Sequence, residues 1–520
     1  MDLGRLLGAI PHRWIRGEAG EQTASLEVTD VTHDSRQAGP GVLFVAIRGG
    51  RSDGMTFAAD AMKRGAVAVV TGPGRDPGSL TDPLTRVIAV EDERVALAEL
   101  AREVHGRPDE KLRVVGITGT NGKTTTCRIL EAILDASGVR PGVLGTVSYR
   151  FGGKEIEAGR TTPEASDLHR YLDRMVTDGC EACVMEVSSH AIDLKRVHGI
   201  GFAAAVFTNL TPEHLDYHGD MESYYRAKAA LFLGSRPPAA AVVNIDDDYG
   251  RRLASEIGTM SPATRLTTFG EAPDAAIRLA AIESSGAGNR ITLVEDAGAG
   301  LVLESPLIGR PNAYNVTAAA ATARAIGVDW ESIGAGVALA DRVPGRMERV
   351  GEQEFAVLVD YAHKEEALRS LLETVRSITP GRVIIVFGCG GDRDRQKRPV
   401  MGVHAARLAD IVFVTSDNPR SEKPEAIIAE IMTGVESVES VRGGQPMTGR
   451  IHVDADRRAA ISAAIEEARA GDTVVIAGKG HETSQIIGDR VLPFDDRTVA
   501  REALARRRGA SGDNGGTTRG

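Results

Sequence analysis

Residues Val114-Val115-Gly116-Ile117-Thr118 form a β-branched apolar run that enters the loop Gly119-Thr120-Asn121-Gly122-Lys123-Thr124-Thr125, and helical periodicity follows. A buried strand feeding a glycine loop that opens a helix is the first half of a β-α-β unit. The chain around it should therefore build a parallel, doubly wound sheet with helices on both faces. The loop aims backbone N–H groups, a lysine ammonium and a helix N-terminus at one point, where phosphate oxygens can sit; the threonine after the lysine can ligate Mg²⁺. The common spacing of such loops needs glycine at 117, where Ile117 stands, so this is a tighter form that keeps the Gly-Lys-Thr end. Strand, loop and helix agree, which outweighs a chance turn. The stretch is read as a nucleoside triphosphate site.

The surrounding chain repeats the pattern. Its 520 residues exceed a single hydrophobic core and predict about three domains. Residues 1–110 alternate short strands (42–47, 66–70, 86–90) with a helix at 58–64, and a glycine- and proline-rich connection spans Pro73 to Pro83. Residues 111–343 carry the phosphate loop, a helix with Ile129, Leu130, Ile133 and Leu134 on one face ending at Gly138, and strands at 183–187, 203–208 and 241–244. After the punctuated linker Val343-Pro344-Gly345-Arg346, residues 344–509 show strands at 355–359, 383–387, 411–415 and 473–477, again in α/β alternation. Residues 510–520 are Gly-, Ser-, Thr- and Asp-rich and read as a disordered tail. The expected fold class is thus α/β: a small N-terminal domain, a central mainly parallel sheet and a C-terminal Rossmann-like domain.

A formal charge of −10 argues against broad nucleic-acid binding. No apolar run reaches membrane-spanning length, and Met1-Asp2-Leu3-Gly4-Arg5 does not begin a secretory signal, so a cytoplasmic protein with no membrane partner is expected. Cys180 and Cys183 form a lone C-x-x-C leading into an apolar strand. They read as small residues at a strand entrance, and no structural disulfide is expected.

Polar clusters fall where a parallel sheet binds its ligands, at the carboxyl ends of strands. Glu186-Val-Ser-Ser-His190 and Thr208 to Asp216 follow two central strands; Gly390 to Asp394, Asp417-Asn418-Pro419-Arg420 and Gly478-Lys-Gly-His-Glu482 follow strands of the last segment. Thr124 and Glu186 are candidate Mg²⁺ ligands, and His214 could reach metal or phosphate. Lys228, in an amphipathic helix, reads on its own as a solvated charge. Asn312 and Asn315, flanking the alanine-rich helix 316–325, read as cap residues. Arg346 in the linker and Asp360 at a strand end could reach a nucleotide. In the N-terminal segment, Thr32 to Arg36 and Gly49 to Gly54 could be ordinary turns or ligand loops.

Together these motifs resemble the Mur ligases, ATP-dependent amide-bond-forming enzymes of peptidoglycan precursor synthesis. The resemblance covers roughly residues 30–500 and rests on Gly119–Thr124, Glu186–His190, Asn209–His218, Tyr225-Arg-Ala-Lys228, Asn312–Asn315, Gly345-Arg346 and Asp360-Tyr-Ala-His363. Asp34-Ser-Arg36 with Leu43-Phe-Val45 is most similar to the branch that extends UDP-N-acetylmuramoyl-L-alanyl-D-glutamate by one amino acid. In that branch Asp-Asn-Pro-Arg accompanies meso-2,6-diaminopimelate, whereas lysine-adding members lack the arginine.

The resemblance implies site roles. Gly119, Thr120, Asn121, Gly122, Lys123, Thr124, Thr125, Asn312, Arg346 and Asp360 would bind ATP. His33, Ser35, Gly50, Arg51, Ser52, Thr161, Thr162, Ser188, Leu194 and Arg196 would hold the UDP-sugar peptide. Arg393, Asp417, Asn418, Pro419, Arg420, Gly478 and Glu482 would hold diaminopimelate, its far carboxylate on the arginine forks and its ammonium near Glu482. Lys123, Lys228 and His214 would be catalytic; Lys228 would be carbamylated and join Thr124 and Glu186 as a Mg²⁺ ligand. A monomer is expected. The sequence departs from the family pattern at Arg160, where some members have asparagine, at Leu194, where glutamine is usual, and at Lys364-Glu365-Glu366, where a proline usually follows the histidine. Three rivals are a folylpolyglutamate-type ligase, an ATP-driven switch that would not need Arg393 or the Asp417–Arg420 cluster, and a zinc scaffold on Cys180 and Cys183.

Overall fold

The computed structural model describes residues 1–17, 20–49, 52–75, 80, 85–295, 298, 300–340, 345–351, 354–439 and 450–513. Gly50 and Arg51 of the uridine loop, Val343 and Pro344 of the linker, residues 76–79 and 81–84 of the early connection and residues 514–520 of the tail lie outside them. The chain forms two compact units: residues 1–281, 292–303 and 314–339, and residues 282–291, 304–313 and 340–520. The boundary expected near 343 thus falls at 339/340, while two short segments of the central region cluster with the C-terminal one.

The first unit contains two sheets. The N-terminal sheet has the order Arg13–Arg16, Val87–Ala89, Ala68–Thr71, Val42–Ala46, Asp30–Thr32. Its first pair is antiparallel and the rest are parallel. Helix Glu93–Val104 buries Ala96, Leu97, Leu100 and Ala101 on this sheet, and Ala165, opening helix Ala165–Thr177, joins the same core.

The central sheet has a parallel middle in the order Pro141–Leu144, Ala182–Glu186, Arg113–Thr118, Phe202–Phe207, Ala240–Asn244, Arg265–Gly270. Valine, isoleucine, alanine and phenylalanine fill both faces of these strands, as a sheet covered on both sides requires. Antiparallel Ser148–Phe151 and Lys154–Glu157 extend one edge, and residues 277–281, the part of strand Ile277–Ser285 in this unit, pair in parallel with Arg265–Gly270 at the other. The strand leading into the phosphate loop lies between two later strands, so connections leave it on opposite sides. That opens a crevice at its carboxyl end. Register sets Glu186 beside Ile117 and Phe207 beside Thr118, so Glu186 and Thr208 both flank the loop.

In the second unit, six strands run Glu348–Arg349, Ala356–Asp360, Thr473–Ala477, Val383–Phe387, Ile411–Val414, Ile451–Val453, parallel except for the first pair. Apolar layers cover both faces of this sheet too. A separate hairpin, Ser484–Ile487 with Arg490–Pro493, follows the last central strand.

The expected strands thus lie within a residue or two of the observed ones, and Gly138 does follow its helix, at φ 80° after Lys123–Ala136. Three expectations need correction. Asn312 and Asn315 do not flank a helix, because helix Arg310–Ala325 starts upstream and contains both. Lys228 is not a solvated charge: it is 1% exposed within helix Met221–Leu233, whose buried face is wider than an amphipathic reading allows. Helix Asp496–Asp513 runs into the segment read as a tail. Among the described residues no helix is long and apolar enough to cross a membrane.

Candidate active site

The phosphate loop is held in a conformation that only glycine permits at two points. Gly119 has φ 145°, and a methyl there would collide with Thr208 Oγ1; Gly122 has φ 88°, and a methyl there would strike Asn315 Oδ1. The neighbouring strand end pins the loop: Thr120 N donates to Asn209 O at 2.9 Å, Asn121 N to Asn209 Oδ1 at 2.9 Å and Thr208 Oγ1 to Asn121 O at 2.7 Å. Thr208 and Asn209 were legible only as a polar strand end, and the pairing was not. Thr125 is buried in the first turn of the helix that follows.

Two ammonium groups meet at one carbonyl. Lys123 Nζ donates to Gly119 O and Thr120 O, each at 2.8 Å, and Lys228 Nζ donates to the same Gly119 O at 2.8 Å. Lys228 lies over the Tyr224 ring at 4.7 Å from its centre. Burial, helped by the nearby Lys123, holds the Lys228 amine well below the ordinary lysine range. His214, at φ 56° on the loop before the short helix Leu215–His218, is also shifted down by burial and by both lysines. His190 packs edge-on against it, ring centres 4.8 Å apart. Two ammonium groups gathered at one loop carbonyl suit triphosphate and carboxylate oxygens.

Opposite the lysines, Glu186 is 1% exposed and accepts from Thr124 Oγ1 at 2.9 Å, Thr146 N at 2.8 Å and Thr146 Oγ1 at 3.1 Å. Thr124 and Glu186, predicted as metal ligands, are thus hydrogen-bonded neighbours. A hydroxyl and a carboxylate are hard oxygen donors, which fits Mg²⁺.

Of the residues assigned to the UDP-sugar peptide, Thr161, Thr162, Ser188 and Arg196 form a connected group in the same unit. Thr162 Oγ1 donates to Glu186 O at 2.9 Å and accepts from Ser188 N at 3.2 Å, while Arg196 Nη1 donates to Thr162 O at 3.1 Å. Thr161 Oγ1 accepts from Thr146. Arg196 also pairs with Glu164 at 2.9 Å. His33 Nδ1 lies 3.0 Å from Ser166 Oγ, and Ser35 is buried in a turn capped by Asp34. Ser52 precedes Asp53, which caps the turn Gly54–Phe57. At the first two departures the backbone carbonyl makes an internal contact: Arg94 donates to Leu194 O at 3.4 Å, and Tyr149 OH to Arg160 O at 2.5 Å. Those contacts do not depend on which side chain stands there. The third departure, Lys364, is the residue before helix Glu365–Ile378, whose first turn carries Glu365 and Glu366 in place of a proline.

In the second unit, Asp360 ends its strand and accepts from Met347 N at 2.8 Å and Ala362 N at 2.7 Å; burial raises its pKa against the pull of Arg346. The Arg346 guanidinium lies 4.8 Å over the Tyr361 ring. Asn312 donates to Ile308 O at 2.9 Å.

The loops after three adjacent strands converge nearby. Gly391 N donates to Asn418 O at 2.9 Å, and a methyl at Gly391 would overlap Pro419 O, so the two loops touch through backbone. Arg420, at φ 52°, donates from Nη1 to Gly391 O at 2.8 Å, and its backbone pairs with the hairpin at Ile486 and Gly488. Arg393 is exposed on the first loop. Asp417 lies beside Gly478, and its Oδ1 has no hydrogen-bond partner among the described residues although it is buried. Asn418 Nδ2 donates to Glu482 at 2.8 Å. At the centre is Lys479, not singled out from the sequence because it stood between two glycines like any loop lysine. All seven residues assigned to diaminopimelate fall on these three loops.

Cys183 is buried in strand Ala182–Glu186, Cys180 is half-buried before it, and all four cysteines are free. Among the described residues no cluster of three or more His, Cys, Asp or Glu could hold a metal.

Three family descriptions match successive stretches: "Mur ligase family, catalytic domain" at residues 27–105, "Mur ligase middle domain" at 117–323 and "Mur ligase, glutamate ligase domain" at 345–480. The chain is 46% identical over 507 residues to the UDP-N-acetylmuramoyl-L-alanyl-D-glutamate--2,6-diaminopimelate ligase of Solibacter usitatus, covering 97% of this chain and 98% of that one. It is 44% identical to the enzyme of the same name from Streptomyces avermitilis, with coverage of 97% and 98%. A solved structure of that name superposes with a TM-score of 0.72 at 32% identity, covering 98% of this chain and 100% of the other. A Mycobacterium tuberculosis folylpolyglutamate synthase shares the fold, with a TM-score of 0.60 at 19% identity, over 79% of this chain and 94% of the other.

Proposed function

The chain belongs to the Mur ligase family, and from that premise we propose that it joins meso-2,6-diaminopimelate to the D-glutamyl γ-carboxylate of UDP-N-acetylmuramoyl-L-alanyl-D-glutamate, using ATP, in peptidoglycan precursor synthesis. The three-domain α/β fold is that of the family. We divide it at 1–110, 111–343 and 344–509, for uridine nucleotide, ATP and amino acid respectively.

The reaction runs through an acyl phosphate. A γ-carboxylate oxygen bonds to the γ-phosphorus of ATP as the bond to ADP breaks; the diaminopimelate amine then attacks the acyl carbon, phosphate leaves and the amine loses a proton. Lys123 would follow negative charge onto the transferring phosphoryl group, exchanging its loop carbonyls for phosphate oxygens. Mg²⁺, held by Thr124 and Glu186, would neutralise charge on the phosphate oxygens. Lys228 supports a second metal ligand. Its buried amine, shifted toward the neutral form, can add to CO₂; a N–C bond forms, a proton leaves and the product is a carbamate. That converts one of two crowded cations into an anion. His214, between both lysines and His190, would be the neighbouring ligand or phosphate contact. Thr161, Thr162, Ser188 and Arg196 would hold the peptide carboxylates beside this centre, with His33, Ser35 and Ser52 on the uridine nucleotide. Asn312, Arg346 and Asp360 are assigned to ATP. We expect a cytoplasmic monomer.

The observation that carries the choice of amino acid is the pairing of arginines and carboxylates on the three loops of the second unit. Arg393 and Arg420 suit a carboxylate, Asp417 and Glu482 an ammonium, and the far end of diaminopimelate carries both. A product assay offering diaminopimelate and lysine in equal amounts tests it. Diaminopimelate product should dominate, and should need ATP and the UDP-linked dipeptide; a lysine product in excess would sink the assignment, and phosphate release without either acceptor would point to a switch.

A further inference from the structure

Lys479 is wholly buried, with Nζ 3.1 Å from Asn418 Oδ1, 3.1 Å from Glu482 Oε2 and 3.6 Å from Asp417 Oδ1. A lysine is almost never buried so fully unless its charge is answered, and here it is answered by two carboxylates. Those are the two carboxylates assigned above to the substrate's ammonium. The clamp is closed on the protein side. Asn418 Oδ1 also accepts from Ile486 N at 3.0 Å, and its Nδ2 donates to the Glu482 oxygen that Lys479 holds. Asn418 is therefore part of the wall. Glu482, with its side chain one-third exposed, is the more open of the two carboxylates, and the buried Asp417 Oδ1, at 3.6 Å from Lys479 Nζ, has no hydrogen-bond donor among the described residues. That atom is a polar group whose partner is to be supplied.

Resting on the amino-acid site proposed above, the geometry points to Lys479 as a positioning residue that sets the charge of the pocket and so favours a side-chain terminus carrying both ammonium and carboxylate over one carrying ammonium alone. Its ammonium already faces Asp417 and Glu482 from inside, which weakens their pull on a bare incoming cation such as that of lysine. It adds to the positive field of Arg420 and Arg393, which a carboxylate on the ligand relieves. A terminus with both charges answers both needs. By holding Glu482 and Asn418 in one arrangement it also spares the ligand the entropy of ordering them.

The test is a competition between diaminopimelate and lysine at concentrations below saturation, where the product ratio reports the ratio of kcat/KM values. Lys479→Met, which keeps the stem and removes the charge, should lower the diaminopimelate-to-lysine ratio at least about tenfold, with KM for ATP within about twofold of the unaltered protein. Lys479→Arg, which keeps the charge, should raise KM for diaminopimelate yet hold the ratio within about threefold. A merely structural lysine would lower both amino acids' use together and leave the ratio unmoved; that outcome in Lys479→Met overturns the inference. Should that variant not fold, Lys479→Arg decides, since loss of selectivity with the charge intact overturns it equally. If the unaltered protein uses neither amino acid, the reading of the site fails first, and the two failures stay distinct.

Discussion

In the first unit, Lys123 and Lys228 converge on the carbonyl of Gly119, each at 2.8 Å, and the buried carboxylate of Glu186 accepts from threonine hydroxyls and a backbone N–H. Among the described residues of the second unit, the wholly buried cations Lys479, Arg398 and Arg457 each face a carboxylate. Lys479 lies against Asp417 and Glu482, Arg398 donates to Glu422 at 2.8 Å and to Glu430 at 2.9 Å, and Arg457 is bidentate to Asp496 at 2.8 and 2.7 Å. Both sites use the same backbone device: glycines at the carboxyl ends of parallel strands let loops touch where a Cβ would not fit, at Gly119 and Gly122 in one and Gly391 in the other. They differ in what their lysines face. The first gathers two lysines on one backbone carbonyl, and so fits a reaction in which negative charge moves toward them. The second holds its buried lysine against two carboxylates, with orientation fixed before the ligand enters, and so fits a choice between similar molecules.

The largest effect should come from the phosphate-loop site. Lys123→Met should lower kcat by about 10²–10³-fold, the scale of removing one preorganised electrostatic contact to a transition state, while KM for the amino acid changes little. Steady-state kinetics varying each substrate in turn separates the two; an equal loss in amino-acid KM would break the division of labour. Next comes Lys228→Ala, expected to cost about 10²-fold, with partial recovery in added acetate or formate if a carbamate is the working form. No recovery leaves the lysine acting as a cation. Arg420→Ala should reduce kcat/KM for diaminopimelate about 10–100-fold, as loss of a charge-assisted contact does, with ATP binding within about twofold.

The remaining effect is on stability, leaves the rate untouched near neutral pH and bears on the first unit alone. His169 is fully buried in helix Ala165–Thr177, and neither ring nitrogen has a hydrogen-bond partner among the described residues. Burial pushes its pKa down to about 4, against the pull of Asp109. The unfolded chain therefore binds a proton near pH 6.5 that the folded chain refuses until about pH 4. Stability present above about 6.5 is lost as pH falls toward 4, at about 1.4 kcal/mol per pH unit, and the slope vanishes outside that window. Thermal unfolding of His169→Leu across this range should lack that slope; an unchanged slope assigns the acid sensitivity elsewhere.

Much of this was legible in the chain itself. The phosphate loop announces its strand, turn and helix because all three are local, and alternating apolar strands and amphipathic helices identify parallel sheets without any knowledge of their order. The polar tripeptides and tetrapeptides at strand ends could be located because a parallel sheet always puts its loops at one edge. Asn312 and Asn315 misled, since asparagine is a cap residue by propensity, but both lie inside helix Arg310–Ala325, where Asn315 packs closely on Gly122 of the phosphate loop.

What the tertiary structure alone decided are the partners. Lys228 and Gly119 are 109 residues apart, Thr124 and Glu186 are 62 apart, and Lys479 and Asn418 are 61 apart. No local periodicity encodes those meetings; they follow from strand order and register, which insert one strand between two earlier ones. Residue type told that a lysine carries a charge. Whether that charge faces water, a second lysine or two carboxylates was set by packing, and with it the chemistry each lysine can do.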